Sequence, residues 1–283
     1  MFSAQGASLI LVRNDSTNSE VVLKFPLIQI DTFTNQVLSG NPAAVCPLQA
    51  WLDERVMQAI AAENNLSETA FFVPLDDGYA LRWFTPNVEV GLCGHATLAA
   101  GEVVLTDMEP GAAEVAFQTK SGILKVARDG DNYVMDFPAQ PAAPHDAPEM
   151  LLAGLGAAPA EVLAGDDYIA VYNSAAEVAA LTPNLDNFME LDRRGVVATA
   201  PGSDTATDYV LRFFAPKNAV PEDPVTGNVQ TELAPYWAAQ LGKKRMSVRQ
   251  LSARGGIMTC EDLGARVSIA GQCVRFLEGN VTL

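Results

Sequence analysis

The amino-acid sequence predicts an α/β protein built as two related lobes. Its 283 residues are long for a single hydrophobic core and comfortable for two domains of ordinary size. Strand-like alternation and helical periodicity follow each other along the chain. A stretch of the first half, "YALRWFTPNVEVGLCGHATLAA" (residues 79–100), also resembles "YVLRFFAPKNAVPEDPVTGNVQTELA" (residues 209–234) in order and spacing. We therefore expect two copies of one α/β arrangement.

The composition excludes several classes of function. Hydrophobic residues make up 49% of the chain and charged residues 18%, as in a well-packed globular protein. The net charge of −16, with only 18 Lys and Arg residues, argues against binding to a nucleic-acid backbone. No window reaches the roughly 18 apolar residues of a membrane span, and the start of the chain lacks the basic region of a signal peptide. We expect a cytoplasmic protein with neither nucleic-acid nor membrane partners.

The domain boundaries follow from changes in composition along the chain. Residues 1–24 read as a polar N-terminal extension, and residues 25–137 as the N-terminal lobe. The proline-rich stretch 138–149 suits an exposed connection between domains. Residues 150–283 then form the C-terminal lobe, with the option that the extreme C-terminus returns to the N-terminal lobe.

The first lobe opens with a strand and a helix. The segment "FPLIQIDTF" alternates apolar and polar residues as a half-buried strand does. The segment "WLDERVMQAIAAENN" predicts a helix that Asp53 caps and that ends at its two asparagines. Helical spacing puts Val56, Ala59 and Ile60 on one face, which we expect to be buried.

The rest of the first lobe reads as strands around a second helix. "SETAFFV" and "YALRWFTP" predict paired strands, and "GHATLAAGEVVL" predicts the helix that follows them. "GILKVARDGDNYVMDFP" predicts a hairpin, because Asp-Gly-Asp at residues 129–131 suits a tight turn between strands.

The repeat brings two glycine-containing loops into corresponding places. A helix N-terminus carries unpaired N–H groups and a partial positive charge, so "CGHAT" and "TGNVQ" each have the form of an anion site. If a pseudo-two-fold axis relates the lobes, Gly94–His95 and Gly227–Asn228 face each other across a cleft that fits a small carboxylate. The alternative is that both are ordinary helix-entry glycines and that His95 is a capping or satisfied histidine.

Cys93 lies two residues before one of only two histidines, which raises the question of a thiol–imidazole pair. The alternative is a small buried hydrophobe, the commoner role of a cysteine. The four cysteines lie far apart without CxxC spacing, so they indicate neither a metal cluster nor a disulfide scaffold.

Five segments together resemble the signature segments of the phenazine-biosynthesis PhzF-like family. They are "QIDTFTNQVLSGNPAAV", "AAENNLSETAFFV", "LRWFTPNVEVGLCGHATLAA", "MDFPA" and "EDPVTGN", and the likeness runs from about Phe25 to the C-terminus. The resemblance implies a diaminopimelate epimerase-like fold of the α/β (α+β) class. In that fold, two pseudo-symmetric lobes each wrap a mixed β-sheet around a central helix, and the active site lies between them. It also implies a homodimer.

The resemblance assigns roles to individual residues. It makes Glu68, in the "SET" segment, the proton carrier, and it places His95 and Asp223 around the same substrate. Family members with the phenazine role usually have Ser where this chain has Asn228, which leaves the identity of the substrate open.

The chemistry of Glu68 can also be argued from its place in the sequence. A carboxyl at the start of an apolar strand, in a cleft closed by two lobes, would be partly desolvated, which raises its pKa toward the range where it can take and return a proton. The alternative is a solvated turn residue beside Ser67.

The sequence thus predicts a cofactor-independent isomerase that moves a proton and a double bond in a small cyclic or unsaturated carboxylic acid. Glu68, His95 and Asp223 form the catalytic set, and backbone N–H groups around Gly94, Gly227 and Asn228 hold the carboxylate. No metal is implied, since the two histidines lack ligand spacing, and no nucleotide-binding motif occurs.

Two alternatives stay open. One is a cysteine-dependent amino-acid epimerase or racemase of the same fold, which would use Cys93 but lacks a second cysteine in the "PVTG" loop. The other is a catalytically idle module that binds a small molecule or a protein.

Overall fold

The computed structural model describes residues 8–11 and 21–283, and side chains from Leu23 onward. Most of the predicted N-terminal extension, residues 1–24, lies outside the described residues. Its described part forms a short antiparallel pair, in which Ser8–Leu11 lies beside residues 21–24.

The strands are numbered β1 to β18 in chain order. They are β1 Ser8–Leu11, β2 Val21–Thr32, β3 Asn41–Pro47, β4 Glu68–Pro74, β5 Tyr79–Phe84, β6 Glu89–Val90, β7 Glu114–Thr119, β8 Gly122–Asp129, β9 Asn132–Pro138, β10 Ala143–Pro144, β11 Glu161–Ala164, β12 Tyr168–Val171, β13 Val196–Pro201, β14 Tyr209–Phe214, β15 Arg245–Gln250, β16 Gly256–Asp262, β17 Arg266–Gly271 and β18 Cys273–Thr282.

The α-helices are numbered in the same way. They are α1 Glu54–Asn64, α2 Gly94–Val103, α3 Glu149–Leu155, α4 Ala175–Ala180, α5 Leu185–Met189 and α6 Gln230–Leu241. A π-helical turn, Val104–Met108, continues α2, and a 3₁₀ turn, Pro216–Asn218, precedes α6. None of the helices in the described ranges is long and apolar enough to cross a membrane.

The chain divides into two compact units. The first comprises the described residues up to Leu38, together with Pro42–Met135 and Gln272–Leu283. The second comprises Ser39–Asn41 and Asp136–Gly271. The C-terminal strand therefore belongs to the first unit, where β18 pairs antiparallel with β2.

The two units repeat one strand topology. In the first, β3 runs parallel to β4, β4 antiparallel to β5, β5 parallel to β7, and β7, β8 and β9 form an antiparallel series. In the second, β12, β13, β14, β15, β16 and β17 follow with the same sequence of parallel and antiparallel pairings. The long helix enters at the same point of each series, α2 before β7 and α6 before β15. The repeat seen in the sequence is therefore a repeat of structure.

Each unit is a mixed sheet around a central helix, which confirms the predicted fold class. Helix α2 is buried from His95 to Val103 and packs against β2, β4, β8 and β18. It approaches β8 closely at Gly101, where a Cβ atom would lie 2.5 Å from a methyl carbon of Val126. A larger residue there would push the helix off the sheet.

Helix α6 is the central helix of the second unit and packs against β15, β16 and β17. It contains Pro235, which has no N–H to donate to the carbonyl of Thr231. The Gln140 N–H donates to that carbonyl instead, at 3.0 Å. The proline therefore frees an acceptor that fixes the chain entering the second unit.

Helix α1 confirms its predicted ends and corrects its predicted face. The Asp53 carboxylate caps it by accepting from the Arg55 N–H at 2.9 Å, and Asn65 ends it in the left-handed conformation at φ 49°. The buried residues are Met57, Ile60 and Ala61, whereas Ala59 is exposed. Of the predicted face, Ile60 is buried and Val56 is half-buried against the core, so the prediction was wrong for Ala59 only, because the buried stripe is centred on the side of Met57 and Ala61.

Candidate active site

Glu68 is placed by the turn that joins α1 to β4. The left-handed Asn65 reverses the chain, and the Asn64 amide donates to the Thr69 hydroxyl at 3.0 Å. Glu68 then begins β4 and lies opposite Ala43 of the parallel strand β3. Its side chain is 18% exposed and its Oε2 atom is buried, so the carboxyl is mostly desolvated.

His95 is placed by the first turn of α2. Cys93 precedes the helix in an extended conformation, at φ −147° and ψ 111°. The Thr97 hydroxyl and N–H donate to the Cys93 carbonyl at 2.6 and 3.3 Å, which fixes the start of the helix. The His95 side chain is only 9% exposed.

Glu68, His95 and Cys93 come together at this point of the first unit. His95 Nε2 lies 3.1 Å from Glu68 Oε2, and His95 Nδ1 lies 3.5 Å from Cys93 Sγ. The Nε2–Oε2 contact has the distance of an ion pair without hydrogen-bond alignment. Among the described residues, neither of these buried atoms has an aligned hydrogen-bond partner. A buried donor and a buried acceptor are therefore both open to a third group.

The charges of the pair support each other. Burial by itself raises the pKa of Glu68, but the positive charge of His95 and contacts with His95 and Cys93 lower it below its ordinary value. Burial likewise lowers the pKa of His95, while Cys93 and Glu68 raise it well above its ordinary value. The prediction of a raised pKa for Glu68 is therefore wrong in direction, because the sequence does not show that a cation lies beside the carboxyl.

The same three side chains bear on the question of a metal. Their donor atoms lie within 4.8 Å of one another, close enough for a metal ion to be considered, although the histidines have no ligand spacing in the sequence. The arrangement has a simpler source of positive charge in His95 itself, which balances the carboxylate without a metal.

Asp223 lies in the second unit, within a network of buried side chains. Its Oδ1 accepts from the Asn41 amide at 3.0 Å, and its Oδ2 accepts from the Thr226 hydroxyl at 2.5 Å. The same Asn41 amide donates to the Val225 carbonyl at 2.8 Å. The carboxylate thus holds together its own loop and the "SGN" segment.

Gln250, at the end of β15, closes this network. Its Oε1 accepts from the Thr226 N–H at 2.8 Å, and its Nε2 donates to the Asp223 carbonyl at 2.7 Å. Sequence reasoning did not single out Asn41 or Gln250. Asn41 belongs to a quoted signature segment, which could have indicated it, whereas Gln250 stands in an ordinary strand pattern and gives no signal.

Gly227 and Asn228 lie just before α6 and not at its first residue. The helix begins at Gln230 after Val229, and the Gln230 and Thr231 N–H groups donate back to the Gly227 and Asn228 carbonyls at 3.0 and 3.1 Å. The predicted helix start is therefore wrong by one short turn. The hydrogen bonds that precede α6 join residues three positions apart, as in a 3₁₀ turn, so the α-helix begins only at Gln230. Gly94, in contrast, is the first residue of α2, as predicted.

The structure thus groups the predicted residues in two sets. Glu68, His95 and Gly94 lie in the first unit, and Asp223, Gly227 and Asn228 lie in the second. That all of them surround one substrate stays a prediction.

Comparison with known proteins places this chain in a family. The family model described as phenazine biosynthesis-like protein, PhzC-PhzF, matches residues 30–279. The chain belongs to the PhzC-PhzF family. An uncharacterized isomerase of Pseudomonas aeruginosa is 48% identical to it over 92% of this chain and 100% of that protein.

Solved structures agree with the family and the fold. A PhzF-family protein of Enterococcus faecalis has a TM-score of 0.89 at 41% identity, covering 92% of this PhzF-family chain and all of that one. A predicted epimerase of Pseudomonas aeruginosa shares the fold, with a TM-score of 0.67 at 19% identity over 91% of this chain and 99% of that one. The curated relative named as an isomerase, at 48% identity, supports an isomerase in general terms.

Proposed function

We propose that this PhzF-family chain is a cofactor-independent isomerase in which Glu68 moves a proton, and with it a double bond, within a small cyclic or unsaturated carboxylic acid. The observation that carries the proposal is the buried contact of 3.1 Å between Glu68 Oε2 and His95 Nε2. The positive charge of His95 keeps Glu68 ionised in a mostly buried position, and among the described residues Glu68 Oε2 has no aligned hydrogen-bond partner. The carboxyl is therefore in the ionised form that a general base needs.

The reaction needs one carrier on one face of the substrate. The Glu68 carboxylate takes a proton from a carbon next to the double bond, and the electron pair of that C–H bond moves into a delocalised enolate-like system. The protonated Glu68 then returns the proton to the far carbon of that system, where a new C–H bond forms as the double bond shifts. Atoms and electrons balance without a cofactor.

The neighbours of Glu68 have matching roles in this proposal. The imidazolium of His95 lies beside the place where negative charge develops on the substrate, so it stabilises the intermediate while Glu68 is neutral. Backbone N–H groups around Gly94, at the start of α2, hold the substrate carboxylate. Asp223 keeps the second loop in shape, since Asn41 and Thr226 donate to its oxygens.

A cysteine-dependent mechanism has less support. Burial and the nearby charge of Glu68 raise the pKa of Cys93, so its reactive thiolate form is disfavoured. Burial also raises the pKa of Cys260 to about 12, and the pKa of Cys273 lies well above its ordinary value. A two-cysteine mechanism needs one thiol in its thiolate form, and the raised pKa values of these three cysteines disfavour that form.

The test is hydrogen exchange at carbon, followed by proton NMR in D₂O. The panel begins with trans-2,3-dihydro-3-hydroxyanthranilate and continues with small unsaturated, amino and hydroxy acids. Wild type is compared with Glu68→Gln and with the matched control Glu63→Gln, whose side chain is exposed on α1. We expect wild type and control to exchange or isomerise one panel member, and Glu68→Gln to be slower by about 10² to 10⁴.

Two results would contradict the proposal. Full exchange by Glu68→Gln, together with inactivation by thiol alkylation, would favour the cysteine-dependent epimerase. Binding of a panel member without exchange in any of the three proteins would favour the idle binding module.

A further inference from the structure

Cys93 makes an unusual use of its position before α2. A residue there commonly caps the helix with its side chain, but the Cys93 side chain makes no such bond. Its Sγ lies 3.5 Å from His95 Nδ1, and the residue is only 6% exposed. The ring of His95 therefore contacts Cys93 at Nδ1 and Glu68 at Nε2, and the donor atoms of all three side chains lie within 4.8 Å of one another.

A charged imidazole needs a partner at both nitrogens. Each ring N–H of the imidazolium is a donor, and a buried donor left without a partner destabilises the charged form. Among the described residues, Cys93 Sγ is the one hydrogen-bond partner of His95 Nδ1. The sulfur is a weak acceptor, yet it replaces the water that burial removes.

We propose that Cys93 is a positioning residue, whose thiol holds His95 at Nδ1 so that Nε2 faces Glu68 as part of a charged pair. This role rests on the proposed function of Glu68 and differs from the thiol chemistry of an epimerase, because Cys93 acts on the charged pair of His95 and Glu68 and exchanges no proton with the substrate. The titratable groups that act on His95 are Cys93, ahead of α2, and Glu68, at the start of β4.

The role predicts opposite results for two small substitutions. Cys93→Ala removes the acceptor, so the buried Nδ1–H loses its partner and the charged form of His95 becomes less stable. Cys93→Ser keeps an acceptor at nearly the same place and restores the charged form. Cys93→Val fills the volume of the thiol without an acceptor, and it replaces Cys93→Ala if the alanine variant does not fold.

The chain suits a direct measurement of this effect. It has two histidines, so ring-nitrogen NMR shows two imidazole signals, and His145→Gln assigns them. His145 is exposed and serves as the internal reference. We expect the His95 titration midpoint to fall in Cys93→Ala relative to wild type and to return toward wild type in Cys93→Ser.

The NMR titration tests this inference separately from the proposed function, because it is carried out without a substrate. A His95 midpoint in Cys93→Ala or Cys93→Val that coincides with wild type, in a protein with an unchanged circular dichroism spectrum, would overturn the role of Cys93. An equal fall in Cys93→Ser would overturn it too, since the hydroxyl would then fail as a partner. Failure of the exchange assay alone would count against the isomerase, and the role of Cys93 would still be decided by the NMR titration of His95.

Discussion

Two buried glutamates, one in each unit, have opposite electrostatic surroundings. Glu68 lies beside the buried ring of His95, whose positive charge lowers its pKa in spite of burial. Glu232, in the first turn of α6, is 2% exposed, and burial together with Asp167 and Asp166 raises its pKa to about 8. In each, Oε2 is buried without a hydrogen-bond partner among the described residues.

The difference lies in how the nearest cation is used. Arg194 is the cation near Glu232, but its guanidinium already donates from both Nε and an Nη atom to the fully buried carboxylate of Asp167. Two carboxyls therefore share one positive charge, and Glu232 keeps its proton at neutral pH. Glu68, in contrast, lies beside the positive charge of His95 and is ionised. Burial alone does not make a catalytic base, since the partner decides which form is present.

The largest effect is expected when Arg194 is removed. Arg194→Met leaves the buried Asp167 carboxylate without its partner, and breaking a buried pair in this way costs about 3–5 kcal/mol of unfolding free energy. Urea unfolding measures the loss. The control is Arg245→Met, which removes an exposed ion pair of 3.5 Å to Glu261 and should cost less than about 1 kcal/mol. Equal losses in both variants would mean that Arg194 acts only at the surface.

The next effect concerns Glu232 and depends on pH. The folded-state pKa of about 8 lies above the ordinary value of 4.5, so the stability linked to this proton is present below pH 4.5 and is lost as the pH rises to about 8. Glu232→Gln removes this loss of folding stability with rising pH, because glutamine does not ionise. At pH 8 we expect the free energy of unfolding of the variant, measured with urea, to exceed that of wild type by about 2–4 kcal/mol. This difference should become smaller as the pH falls toward 4.5.

The matched control for Glu232 is Glu190→Gln, which changes an exposed glutamate of the same unit. It should follow the wild-type stability at every pH. A gap between Glu232→Gln and wild type that is the same at pH 4.5 and pH 8 would show that packing, and not the proton, separates them.

The sequence predicted what depends on neighbours along the chain. The antiparallel pair of "SETAFFV" and "YALRWFTP" is observed as β4 and β5, and the Asp-Gly-Asp turn joins β8 to β9 with Asp129 opposite Asn132. Alternation, capping and turn chemistry are local properties, so they can be read from adjacent residues.

The sequence could not predict what depends on distant residues. Asn41 donates to Asp223 across 182 positions, and Arg194 bonds Asp167 across 27. No local pattern records such pairs, because the fold alone brings them together. The wrong direction for the pKa of Glu68 has the same origin, since His95 comes from a different element. Glu68 itself was assigned by family resemblance, and its surroundings had to come from the structure.

Removal of His95 should make Glu68 behave more like Glu232. His95→Gln keeps the carboxyl buried but takes away the cation, so the pKa of Glu68 rises and the acid limb of the exchange profile moves to higher pH. Exchange below neutral pH should fall by roughly tenfold or more and recover partly in alkali. His145→Gln is the control. A loss of equal size at every pH would instead assign His95 to direct contact with the substrate.

The smallest effect is expected from chelation, which asks whether a metal ion, and not a proton on His95, balances the charge of Glu68. The donor atoms of Glu68, Cys93 and His95 lie within 4.8 Å of one another, so the alternative has a geometric basis. If the imidazolium is the balancing charge, dialysis against EDTA and 1,10-phenanthroline should change the exchange rate by less than about twofold, because no step of proton transfer by a positioned carboxylate requires a Lewis acid. Loss of exchange on chelation, restored by one equivalent of zinc per chain, would contradict this explanation. Neither Glu68 nor Glu232 would then have a protonated side chain to itself as its positive partner, and the metal ion would be what keeps Glu68 ionised.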